Sequence, residues 1–278
     1  SQGYEKAIFR FFEFLESIGA KGTLFIVSST NNSKRNTKIL REAVDLGHEI
    51  ASHTSLHKKD FGNGSYKDIL KELKDSKHSL EDTIGQDIIG FRAPGYYINQ
   101  KMYDGLFEAG YNYSSSINPS LIYNLLKFGA SLIEKISKSG NVEYPTNLQS
   151  IFKSCSPSVV KEKRSKHVSK NNSNQFIEIP VSCDRLHMIP SICFFHDMIM
   201  PTSLSNAYIS HISGLNHSTF VFHDFEFLTQ KEIPSDRMPF ATDMSIKKNH
   251  KRIAFFNSIK HNFLNHEKCT LRNQMKDF

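Results

Sequence analysis

Gly47-His48-Glu49-Ile50-Ala51-Ser52-His53-Thr54-Ser55-Leu56-His57 holds a helix stop, a short strand and a pair of histidines in one continuous run. Gly47 closes the helix-like stretch Ser33–Leu46, and Glu49 to Ser52 then reads as a short strand. His53 and His57 follow it, four residues apart. Two imidazoles at that spacing converge on one metal ion if the segment forms a helical turn or a tight loop. His48 lies on the strand side and is expected to be structural.

The same grammar repeats on both sides. Residues 5–18 carry a wide apolar helical face that Gly19 stops, and Thr23-Leu24-Phe25-Ile26-Val27 reads as a buried strand. Downstream, 65–83 is a helix, 88–91 a strand, 100–109 a helix and 111–115 a strand. Strand and helix alternate, which predicts βαβ units around a parallel sheet or barrel. The alternation stops after Pro119. An amphipathic helix is expected over 121–137, and a polar, basic stretch to about Gln175 reads as an exposed insertion. Strand patterning returns at Phe176-Ile177-Glu178-Ile179-Pro180-Val181 and at Thr219-Phe220-Val221-Phe222; one further helix is expected around 253–263.

With 278 residues, 38% hydrophobic and 23% charged, the chain is a globular protein rather than a disordered one. No apolar run reaches the roughly 18 residues that cross a bilayer. Four cysteines without CxxC spacing read as free buried thiols. That leans toward a reducing compartment, cytoplasmic or membrane-peripheral. The net charge of +7 makes anionic partners plausible, and its dense runs are 161–167 and 247–252. These runs lack interleaved aromatics, so no nucleic acid is expected. The chain opens on Ser1 rather than Met, which reads as a fragment, a processed product or a trimmed form.

Two more runs carry chemistry: Gly90-Phe91-Arg92-Ala93-Pro94-Gly95-Tyr96 and Phe220-Val221-Phe222-His223-Asp224. A cleft-lining guanidinium wants a carboxylate, and an imidazole ending an apolar strand wants a task or a partner. Phe194-Phe195-His196-Asp197 has the same local pattern as the run at His223. Thr54 could fix the turn between the two histidines through its hydroxyl.

In this order the three runs resemble the polysaccharide deacetylase family, whose catalytic region is the NodB homology domain. The resemblance covers 1–119 and 176–229 and implies an α/β fold, a distorted (β/α) barrel with its first strand missing. It implies a domain over 1–229 with the insertion 121–175, followed by a C-terminal extension 230–278. By resemblance His53 and His57 hold a divalent metal, Zn being the expected one, and Arg92 orients a catalytic aspartate. The Gly95 N–H would stabilise the oxyanion, with Tyr96 beside it, and Val221 would line the acetyl pocket. His223, preferred over His196, would be the general acid.

The family's first strand bears aspartates that serve as base and third metal ligand. This chain has no Asp before Asp45 and no Trp anywhere. The expected activity is removal of an N-acetyl group from a sugar in a polysaccharide or lipid-linked glycan precursor, weak or absent in the chain as it stands. Alternatives are a hydrolase of the same fold acting on a cyclic amide or O-acetyl ester, and a non-catalytic binder of glycan or an anionic surface. An anionic membrane surface against 121–171 is a further possible partner.

Overall fold

The computed structural model describes residues 2–31, 33–58, 60–136, 148–161, 175–184, 186–233 and 249–275. By their contacts these residues form two compact units, Gly22–Pro180 with Thr270–Phe278, and Ser1–Lys21 with Val181–Cys269. Contacts thus divide the chain elsewhere than at the domain boundary expected after residue 229.

The first unit is built on a six-stranded sheet. Its strands are β1 (Thr23–Ile26), β2 (Glu49–Ser52), β3 (Gly90–Phe91), β4 (Tyr113–Ser114), β5 (Ser158–Val160) and β6 (Phe176–Glu178), in the order β1-β2-β3-β4-β6-β5. Every neighbouring pair is parallel except β5 with β6. All four residues of β2 are buried, as expected of a parallel strand covered on both faces.

Capping side chains set the helices between the strands. Ser33 accepts the Asn36 N–H at the start of α2 (Lys34–Asp45), and Ser65 accepts the Asp68 N–H at the start of α3 (Tyr66–Ile84). Asn99 does the same for Met102 at α4 (Gln100–Glu108), and α3 ends on left-handed Gly85. Ile39, Leu40, Ile69, Leu73, Met102 and Leu106 are among their buried side chains.

After α5 (Leu121–Ile136) the expected insertion is partly structural. Ser150, in the short 3-10 turn Leu148–Phe152, is buried and donates to the Asn118 carbonyl at 3.0 Å. β5 then adds to the sheet edge. The rest of the polar stretch, 137–147 and 162–174, lies outside the described residues, as do the basic run at 247–248 and most of that at 161–167.

The second unit is helical: α1 (Gln2–Ser17), α6 (Cys193–Ile199), α7 (Thr202–Ser213) and α8 (Asn249–Phe263). Leu15, Ile18, Tyr208, Ile209, Ile212, Phe255, Ile259 and Phe263 form one core, so the segment beyond residue 229 packs with the chain's beginning. Arg10 makes a fork-shaped pair with Glu232, at 2.7 and 3.0 Å. The strand expected over 219–222 is one parallel bridge, Ile192 with Val221. Of the four cysteines, expected to be buried, only Cys183 and Cys193 are; Cys155 is partly buried and Cys269 is exposed. No helix among the described residues is long and apolar enough to cross a membrane.

Candidate functional site

β2 delivers His53 directly: its N–H continues the ladder to the Ile26 carbonyl at 2.9 Å. The chain then turns through two residues with positive φ, Thr54 (67°) and His57 (53°). Such a conformation is costly for a β-branched residue and persists only where its surroundings fix it. Here they do. The Thr54 hydroxyl accepts the His57 N–H at 3.0 Å, and Glu72 of α3 accepts the N–H groups of Ser55 and Leu56 at 2.8 and 3.1 Å. The reading of Thr54 holds; Glu72 was not legible, because nothing in its helical pattern marks it as a loop anchor.

The result is two imidazole rings with centroids 4.8 Å apart, inclined at 66°. His53 Nδ1 lies 2.7 Å from the Arg92 carbonyl oxygen. A carbonyl can only accept, so the proton sits on Nδ1 and the lone pair on Nε2, the tautomer a metal-ligating histidine needs. The pair suits a divalent ion such as zinc as two of its ligands. Among the described residues no third His, Cys, Asp or Glu joins them to complete a metal-binding group. His48 is buried and takes the Gly22 N–H on Nδ1 at 3.2 Å, a structural role as expected.

Arg92 follows β3 and is 9% exposed. A carboxylate partner was expected, but Nε donates to the Ser115 carbonyl (2.9 Å) and Nη2 to the Ser115 hydroxyl (2.8 Å). The guanidinium also lies 4.1 Å from the Phe25 ring centre and 5.8 Å from that of Tyr96. Among the described residues it forms no ion pair with a carboxylate. Burial pulls its pKa down, opposed by Tyr96, Tyr113 and Glu178. Ser116 and Glu178 brace the loop: the Ser116 hydroxyl accepts the Ala93 N–H, and the Glu178 carboxylate accepts the N–H groups of Ser116 and Ile117.

Beyond Arg92 the turn Pro94–Tyr96 has two successive positive φ values, 62° at Gly95 and 57° at Tyr96. α5 holds it from outside the matching motif. Lys127 Nζ donates to the Gly95 carbonyl at 2.5 Å, and Tyr123 meets the Tyr96 ring edge-on at 5.7 Å. Neither Lys127 nor Tyr123 was singled out from sequence. They stand one turn apart on one helix face, a spacing that equally suits packing.

His53, His57, Arg92, Gly95 and Tyr96 thus belong to one unit, and Val221 and His223 to the other. Val221 is buried and receives the Cys193 N–H at 3.0 Å. His223 precedes the short turn Asp224–Phe227 and stacks on Phe225 at 5.3 Å. Its rival differs sharply. His196 lies inside α6, 2% exposed, with Nδ1 2.8 Å from the Ser205 hydroxyl and Nε2 3.1 Å from the Pro190 carbonyl. Burial lowers its pKa to about 4. Both nitrogens serve the core.

Comparison with known proteins follows the same residues. Residues 2–114 match the polysaccharide deacetylase family model. The chain is 29% identical over 99 residues to a peptidoglycan-N-acetylglucosamine deacetylase of Bacillus cereus, covering 36% of this chain and 45% of that one. It is 27% identical over 94 residues to a bifunctional xylanase/deacetylase of Pseudobutyrivibrio xylanivorans, covering 34% and 15%. The matches thus span less than half of either relative's length. A crystal structure from Mycobacterium smegmatis, described as a polysaccharide deacetylase, covers 99% of this chain and 77% of its own. It superposes with TM-score 0.59 at 17% identity, which shows a common α/β fold.

Proposed function

Taking residues 2–114 as a polysaccharide deacetylase segment, we propose that the protein is a metal-dependent hydrolase removing the N-acetyl group from a sugar of a polysaccharide or lipid-linked glycan precursor. The observation that carries this reading is the His53 bond to the Arg92 carbonyl beside the His57 ring, a pair set for a metal before any metal arrives. His53 and His57 would hold the ion. When bound, such an ion polarises an amide carbonyl and activates water. Arg92, buried and bonded to Ser115, would hold the charge of a catalytic carboxylate in place. The N–H of Gly95 would donate to the oxyanion, with Tyr96 lining the sugar site. Val221 would line the acetyl pocket, and His223 would give a proton to the departing nitrogen.

A second reading has its own support: no described residue completes the metal group at His53 and His57. It makes the protein a non-catalytic relative that binds glycan or an anionic surface. Exposed Leu125, Leu126 and Phe128 on α5 suit an anionic membrane surface as a further partner of 121–171.

Zinc titration and acetate release from N-acetylglucosamine oligomers, on the full chain and on His53→Ala, separate the two. The first reading expects zinc affinity to fall at least about 10-fold in the variant, with any acetate release lost. Zinc affinity and acetate release unchanged by the substitution would overturn it. Glycan binding that survives the substitution, without acetate release from either protein, would put the second reading first.

A further inference from the structure

Glu226 is a fully buried carboxylate three residues beyond His223. Its Oε2 accepts the His223 backbone N–H at 2.7 Å. Its Oε1 lies 3.6 Å from His223 Nδ1, longer than a hydrogen bond but within ion-pair distance. Both of these facing atoms are buried, and neither has another hydrogen-bond partner. Buried polar atoms in native proteins are nearly always satisfied. The Glu226 backbone N–H also approaches the His223 side chain, closing a capping box, and the carboxylate is the charged and therefore the stronger of the two partners. A small rotation of either side chain closes the gap.

The surroundings hold the pair in register. Phe225 stacks on the imidazole at 5.3 Å and 18°, and Phe194 meets it edge-on at 5.1 Å. Arg252 of α8 donates to the Glu226 backbone carbonyl at 2.7 Å while its Nε binds Asp197 at 3.0 Å, both side chains buried. The His223 side chain is still 36% exposed although Nδ1 is buried, so its solvent contact lies on the ring edge away from Nδ1. The charged and titratable groups near Glu226 are His223, Asp224, Asp197, Arg252 and the Cys193 thiol.

We propose that Glu226 is a positioning residue for His223, its carboxylate accepting the proton on Nδ1 so that Nε2 is the nitrogen that carries and releases a proton to the substrate. This rests on the deacetylase reading for what Nε2 does, though not for the pairing itself. In that reaction the amide C–N bond breaks, its electron pair stays on nitrogen, and that nitrogen takes the proton leaving Nε2 of the imidazolium. The neutral ring left behind keeps its Nδ1 proton against Glu226. The chain places this carboxylate in the same short turn as the acid it serves, and α8 buttresses the turn.

The test reads the pairing without relying on turnover. Nitrogen-15 histidine spectra of the full chain, with His223 assigned by the signals missing in His223→Gln, show which ring nitrogen bears the proton on the neutral imidazole. The expected result is Nδ1–H in the wild type, moving to Nε2–H or a mixture in Glu226→Ala. Nε2–H in the wild type overturns the proposal, and so does an unmoved Nδ1–H in Glu226→Ala. Should that variant fail to fold, the wild-type spectrum still decides, and Glu226→Gln, which keeps an acceptor, is expected to retain Nδ1–H. Where acetate release is measurable, Glu226→Ala should lower kcat about 10-fold or more with KM unchanged. Acetate release that survives His223→Gln would remove the acid role of His223 while leaving the tautomer result standing.

Discussion

At the residue scale, His196 and His223 show how two matching local patterns come to different ends. Both follow a pair of apolar residues and precede an aspartate. One is turned into the core by α6 and spends both ring nitrogens there; the other ends an extended segment beside a buried carboxylate. The burial of His196 has a pH signature. Its folded pKa of about 4 lies below the 6.5 of an ordinary histidine, so between those values the unfolded chain binds the extra proton. Its contribution is therefore complete above pH 6.5 and is lost as pH falls toward 4. The shift corresponds to roughly 3 kcal/mol. Urea unfolding at pH 7 and pH 4.5 should show this loss in the wild type and a smaller one in His196→Gln. Equal losses in both proteins would count against it. The closeness of the His53 and His57 rings was legible because a four-residue spacing is a local property. The burial of His196 and the Glu72 anchor were not, because both depend on helices distant in sequence.

Elements were legible where their ends carry their own instructions. Ser33 and Ser65 cap α2 and α3, Gly85 stops α3, and their expected positions agree with the structure to within a residue or two. The strands at 88–91 and 111–115 shrink to β3 and β4, two residues each, because their length is decided by pairing rather than by pattern. What fixes that pairing is a close approach at Gly90. A Cβ there would sit 2.2 Å from the ring carbon and hydroxyl of Tyr113. The ring has no room to retreat: Tyr113 is fully buried and its hydroxyl donates to Glu49 at 2.9 Å. Gly90→Ala should therefore destabilise the protein by on the order of 3 kcal/mol through overpacking. Denaturant midpoints measure it, and a change below about 0.5 kcal/mol, the usual effect of an innocuous surface substitution, would mean the strands can part without cost. α6 and α7 escaped the sequence reading because Cys193–Ile199 has strand-like apolar content and α7 carries polar residues on most of its turns.

At the scale of the molecule, chain order and contact order disagree, and the tail shows the consequence. The unit built on the sheet begins at Gly22 and closes with Thr270–Phe278, more than two hundred residues later. Leu271 is buried against Tyr113, Ile177 and Ile179, and its N–H donates to the Thr23 hydroxyl at 2.9 Å. The Arg272 N–H donates to Glu49 at 2.9 Å, and its guanidinium lies 3.7 Å from the same carboxylate. Burial raises the pKa of Glu49, and Thr23, Arg272 and Tyr113 lower it. Removing residues 270–278 strips a buried carboxylate of one donor and of its nearest cation, and exposes Leu271's share of the core. The lost hydrogen bond and the exposure of Leu271 are each worth about 1.5–3 kcal/mol, so the deletion should cost roughly 3–6 kcal/mol. Because these contacts fall within one unit, the damage should be uneven. Hydrogen exchange should quicken in β1, β2 and β4, while amides of α7 and α8, packed in the other unit's core, keep their protection. Equal loss of protection in α7 and α8 would mean that the two units unfold as one cooperative body. Unchanged protection in β1 and β2 would mean that the tail is not what closes the sheet unit.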